Sequence, residues 1–180
     1  MNTYIALLRG INVSGHKIIK MELLRKVLAE LHFENVATYI QSGNIIFQSA
    51  ASDPHHLEKQ IALLIYKHFG FDVPVMIVTP ESLQKVVANN PYPKIEDPAQ
   101  PYVAFLSEVP TPSAIASLKA VDFGKDSFVN IDNTMYLHYA DSAGNTKLSN
   151  AAIENKLKLK ATSRNWKTIN KLIELSLALK

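Results

Sequence analysis

Cysteine is absent from all 180 residues. That excludes disulfides, thiol catalysis and cysteine-ligated zinc or iron–sulfur centres, and it fits a reducing cytoplasm. Long apolar runs are missing too. Tyr4-Ile5-Ala6-Leu7-Leu8 is too short for the core of a signal peptide, no small-residue cleavage site follows it, and no stretch reaches the length of a membrane span. The expectation is a cytoplasmic protein with no membrane partner. Glycine is scarce, at six residues, so the pair Gly10 and Gly15 within one short segment stands out. What the chain does have is apolar content of 47%, enough for one domain or two small ones.

Charge is unevenly placed. Residues 1–26 hold five Lys or Arg against one Glu, residues 144–180 hold eight against two, and residues 27–143 hold six against thirteen acids. The ends are therefore basic and the middle acidic, although the whole carries only +3. If folding brings the ends together, they form one basic surface suited to an anion.

Periodicity organises the rest. Ile5 to Leu8 reads as a buried central strand, followed by a helix with Met21, Leu24, Val27, Leu28 and Leu31 on one face. Val36 to Gln41 and Ile45 to Gln48 read as strands joined by a two-residue turn at Ser42-Gly43, with Gly43 at positive φ. Asp53-Pro54, Thr79-Pro80 and Thr111-Pro112 each place a capping residue before a proline and predict three helix starts. Val73 to Val78 is a further strand, put at an edge by Pro74. Strands are also predicted at Tyr102 to Leu106, Phe128 to Ile131 and Met135 to Tyr139, then a short helix from about Asn150 and a last helix from about Arg164. The first half reads βαββαβ and the second βαββα with a terminal helix. The fold class is thus α/β (α+β): two ferredoxin-like halves of the split βαβ, or α-β plait, plan with antiparallel sheets. Domains are predicted at 1–79 and 102–180, linked by a helix and proline-rich connection over 80–101 that includes Asn90-Pro91-Tyr92-Pro93.

The candidate ligand-binding residues lie in three segments. Arg9 to Lys20 joins a strand to a helix, so its backbone donors, with Arg9, Asn12 and Lys17, suit an anion. The spacing of a Walker loop is missing there. Gln41, Ser42 and Asn44 sit at the predicted hairpin. Thr162, Arg164, Asn165 and Lys167 form the third, where Thr162 or Ser163 reads as an N-cap and Arg164 falls in the first helical turn. A cation there opposes the helix dipole by roughly 0.3–1 kcal/mol, which a carboxylate or bound anion would offset. Trp166 reads as the core anchor of the last helix. The six histidines show no metal-ligand spacing, no nucleophile-elbow motif occurs, and the basic-Gly-aromatic signature of an RNA-recognition module is missing from Ile45 to Gln48. No metal or cofactor is expected.

Arg9-Gly10-Ile11-Asn12-Val13 leading to Lys20-Met21, Tyr39-Ile40-Gln41-Ser42-Gly43-Asn44, Lys147-Leu148, and Thr162-Ser163-Arg164-Asn165-Trp166 with Lys171-Leu172 together resemble the uncharacterised bacterial family DUF1697. The resemblance runs through nearly the whole chain. It implies a protein of two ferredoxin-like halves, and it brings no catalytic residues with it. Members often carry Gly-Gly where this chain has Ser14-Gly15, and commonly a glycine where it has Lys158. The functional expectation is a small anionic ligand or nucleic acid bound at the basic surface. An enzyme acting on such a ligand, with His16 or Asn12 in proton transfer or orientation, and a protein-interaction module are the alternatives. Oligomeric state is not legible.

Overall fold

The computed structural model describes residues 1–92, 94 and 96–179, so Pro93 of the expected proline-rich connection lies outside the described residues. The chain divides into two compact units, one made of residues 1–85 with the segment from Lys171 onward, the other of Val86–Asn170.

In the first unit the strands β1 (Asn2–Leu8), β2 (Glu34–Tyr39), β3 (Asn44–Ser49) and β4 (Val75–Val78) form an antiparallel sheet in the order β2-β3-β1-β4. Helices α1 (Met21–Leu28) and α2 (Pro54–Phe69) follow β1 and β3. That order and connectivity are the ferredoxin-like plan. Alternation along β1 sends Tyr4, Ala6 and Leu8 into one core with Leu24, Leu28, Leu57, Ile61 and Ile65 of the helices. Ile5, Leu7 and Ile46, pointing the other way, are buried as well. Asp53 caps α2 by accepting from the His55 N–H at 2.9 Å and Pro54 opens it, as the sequence predicts, and left-handed Gly70 ends it.

Two details of this unit differ from the expectation. Tyr39 pairs with Asn44, so the hairpin loop has four residues, Ile40 to Gly43, rather than two. Gly43 does take positive φ, at 79°, and its place is also fixed sterically. A Cβ there would lie 2.7 Å from both Leu8 Cβ and Ile11 Cδ1. Val73 and Pro74 precede β4 rather than belonging to it, and β4 is an edge strand, in keeping with the proline.

The second unit repeats the plan with β5 (Tyr102–Leu106), α4 (Pro112–Lys119), β6 (Ser127–Ile131), β7 (Thr134–His138), α5 (Asn150–Leu157) and β8 (Ala161–Asn165), in sheet order β6-β7-β5-β8. Helix α3 (Pro80–Ala88) precedes it, held at its start by reciprocal Thr79 and Ser82 hydrogen bonds, and α6 (Trp166–Ala178) closes the chain. The strand β8 was not expected. Ala161-Thr162-Ser163-Arg164-Asn165 has no apolar alternation to announce a strand, yet it pairs residue for residue with β5, from Asn165 opposite Tyr102 to Ala161 opposite Leu106. The second half is therefore βαββαβ, the same order as the first. Ala104, Leu106, Met135, Leu137, Leu118, Ile153 and Leu157 form its core.

One device occurs in both units. Glu58 of α2 accepts from the N–H of Ile77 in edge strand β4 at 2.9 Å, and Glu154 of α5 accepts from the N–H of Ala161 in edge strand β8 at 2.8 Å. In each, the second helix supplies a carboxylate to an outward N–H that a sheet edge leaves unpaired. Among the described residues no helix is long and apolar enough to cross a membrane.

Candidate functional site

Segment 9–20 leaves β1 as a small hairpin with an unusual backbone. Gly10, Asn12, Ser14, Gly15 and Lys17 all have φ between 47° and 78°. Three of these are not glycine, and such residues pay about 1–3 kcal/mol each for the left-handed region. Ser14 occupies one of the left-handed positions, and Lys158, at φ 57° after α5, occupies another. At both, the chain puts a side chain where glycine would sit without strain.

Asn12 holds this strained segment together. Its side-chain NH2 donates to the carbonyls of Ile19 (3.0 Å) and Gln41 (2.8 Å), and its Oδ1 accepts from the Ile19 N–H at 2.9 Å. Its own N–H donates to the Lys17 carbonyl at 3.2 Å, and the His16 N–H donates to Val13 at 2.9 Å. The side chain predicted to touch ligand thus spends its donors on the loop, and fastens it to the turn of the β2–β3 hairpin. The N–H groups of Ser14, Gly15 and Lys17 take no partner among the described residues.

The other first-unit candidates divide in the same way. Asn44 is buried and donates to the Tyr39 carbonyl (3.0 Å) and to Ser42 Oγ (3.1 Å), which makes both residues parts of the turn. Gln41 contributes its carbonyl to Asn12 while its side chain is exposed. Lys17 is half-buried and donates to the Asp72 carbonyl. Arg9 is half-buried at the start of the loop, its N–H donating to the Pro74 carbonyl at 3.0 Å. His16 and Lys20 are exposed.

In the second unit the expectation for Arg164 needs correcting. It lies in β8, not in a helical first turn, so the dipole argument does not apply to it. The residue is 7% exposed, and its guanidinium donates to Thr162 Oγ1 (3.0 Å) and to the Ser163 carbonyl (2.8 Å). Burial pushes it down to about 10, which leaves it charged at neutral pH. Thr162 is buried and is no helix cap; Asn165 has that task, its Oδ1 accepting from the Thr168 N–H at 2.8 Å. Trp166 is half-buried, while Ile169 and Leu172 carry the buried face of α6 and Leu177 points outward. Lys167 is exposed in the first turn.

Sequence reasoning passed over the apolar side chains of the loop. Val13, Ile18 and Ile40 stand 58%, 57% and 47% exposed, each one residue from a member of the Asn12 network. Their exposure has no signature in a single sequence.

A family model described as "Protein of unknown function (DUF1697)" matches residues 1–136. No curated protein matches the chain. Among solved structures, the conserved bacterial protein SP0830 from Streptococcus pneumoniae is similar, with 24% identity, a TM-score of 0.70, and coverage of 96% of this chain and 97% of that one. That likeness is one of fold.

Proposed function

For a chain that belongs to the DUF1697 family, whose description assigns no activity, we propose a function read from the β1–α1 loop: it binds an anionic ligand there. Phosphate-bearing molecules, namely a nucleotide, a phosphorylated metabolite or a nucleic-acid backbone, are the first class to test. The observation that carries the reading is the run of five positive-φ residues between Gly10 and Lys17. Left-handed residues set among others of ordinary φ can turn neighbouring N–H groups to one side, making an anion-binding concavity; Ser14 and Gly15, both left-handed, form the two-residue turn of the small hairpin closed by the His16 N–H. Strain of this kind persists where a site over-determines it. Arg9, Lys17 and Lys20 add cationic groups along the same segment, and no acid occurs before Glu22.

In this reading Arg9, Lys17 and the exposed Gln41 amide contact the ligand with the backbone, Ser42 borders them, and Asn12 and Asn44 shape the loop and turn. Thr162, Arg164 and Asn165 serve the framework of the second unit, and Lys167 is an exposed cation of that unit. The proposal includes a cytoplasmic setting away from membranes, in keeping with the absence of cysteine.

The test is thermal shift at low salt with pyrophosphate, ATP and a short single-stranded DNA, on the natural protein and on Lys17→Ala. At least one probe should raise the melting temperature. Loss of one charge-assisted contact in the variant should weaken binding roughly tenfold. Absence of any shift from all three probes would overturn the phosphate reading.

A further inference from the structure

Nine large apolar side chains stand exposed among the described residues, and three of them, Val13, Ile18 and Ile40, flank the Asn12 network. Exposed aliphatic residues are ordinary when scattered, but informative when gathered at one place. Here hydrogen bonds of Asn12, one from its backbone and one from its side chain, link the segments that carry them. Asn12 pairs with Lys17 beside Val13 and Ile18, and its amide reaches the Gln41 carbonyl beside Ile40. The half-buried Lys17 and the exposed Lys20 lie between and beside them in the chain. The small hairpin closed by the Val13–His16 bridge carries Val13 and His16 at an exposed tip, with Ile18 and Lys20 exposed after it and Ile40 exposed in the β2–β3 turn.

We propose that this surface docks an acidic protein segment bearing aliphatic side chains, its carboxylates on the loop cations and its apolar residues on Val13, Ile18 and Ile40. The inference rests on the anion-binding reading, since the same cations serve both, and it names the partner class. Charge complementarity selects an acidic partner. The side chains select protein over nucleic acid: the three exposed residues are aliphatic, whereas unpaired bases are held by stacking on aromatic rings. Aliphatic contact with a polar, charged rim is the anatomy of a protein interface.

The experiment is fluorescence anisotropy at low salt with three labelled probes, a short peptide of alternating Glu and Leu, the same peptide with Ser for Leu, and a short single-stranded DNA, and with unlabelled pyrophosphate as competitor. The Glu–Leu peptide should bind roughly tenfold more tightly than the Glu–Ser peptide, as partial burial of a few aliphatic groups would give. Ile18→Ser should remove that preference and leave Glu–Ser binding unchanged, while Lys17→Ala should weaken both peptides. Circular dichroism checks that the variants fold, since Ile18 is exposed and Lys17 half-buried. Equal binding of the two peptides would overturn the proposal. Binding of DNA without either peptide, displaced by pyrophosphate, would overturn it and leave the anion-binding reading standing. Silence from all three labelled probes would overturn the docking proposal, and if pyrophosphate also gave no thermal shift, both readings would fall.

Discussion

Gly43 shows how much one residue without a side chain can decide. Its carbonyl accepts from the Leu8 N–H at 2.8 Å, so β1 and the hairpin turn approach closely there. A methyl group would meet Leu8 and Ile11 at a distance that atoms do not tolerate, on a backbone at φ 79°. Gly43→Ala should therefore cost about 2–4 kcal/mol, from left-handed strain and a forced shift of packed neighbours. Urea denaturation would read it as a lower midpoint, and a midpoint unchanged from that of the natural protein would refute the steric account. That a glycine was needed in this turn was legible in the sequence. That Leu8 and Ile11 enforce it was not, because the contact joins segments more than thirty residues apart.

Tyr136 supplies a residue-scale test with pH. Its ring is buried, its hydroxyl donates to the Val86 carbonyl at 2.8 Å, and burial pushes it up to about 12 from an ordinary 10. A raised acid holds its proton more tightly when folded. The stability that this contributes is complete below pH 10 and is lost as pH climbs from 10 towards 12. Alkaline unfolding followed by phenolate absorbance should show it, and Tyr136→Phe should reduce the fall in stability across that window.

At the scale of elements, caps and periodicity made most of the fold legible. The three proline-opened helices begin where Asp53, Thr79 and Thr111 predict, because cap and proline act within a few residues of chain. β8 was lost for the opposite reason. Thr162-Ser163 before an apolar stripe imitates a helix start, and only pairing with β5, more than fifty residues away, makes it a strand. The true cap, Asn165, comes after it. The carboxylates of Glu58 and Glu154 were equally illegible, since each meets its strand only once the sheet exists. Replacing either by Ala leaves an edge N–H without its acceptor and should cost about 1–2 kcal/mol. Hydrogen exchange at the Ile77 and Ala161 amides should quicken in the matching variant alone. Unchanged exchange at both would show that the carboxylates do not guard the edges.

For the whole molecule, the two-half ferredoxin-like plan emerged from element order, and the candidate site only in part. Charge placed Arg9 and Lys17 near the site, and glycine spacing marked the loop. The left-handed run, the use of Asn12 as a fastener and the burial of Arg164 depend on tertiary contacts that spacing does not encode. Because the loop cations Arg9, Lys17 and Lys20 are half-buried or exposed and lie within reach of solvent ions, an extended polyanion should lose affinity steeply between low and physiological salt, whereas a single compact anion on the backbone should lose less.

The central claim is that the Gly10–Lys17 backbone is an anion-binding concavity, and amide NMR reads that backbone directly. Titrating pyrophosphate at low salt into the labelled protein should move the amide resonances of Ser14, Gly15 and Lys17 first and farthest, saturably, with Arg9 following. Saturable shifts confined to residues outside 9–20, or no shift at concentrations where the thermal assay reports binding, would contradict the account.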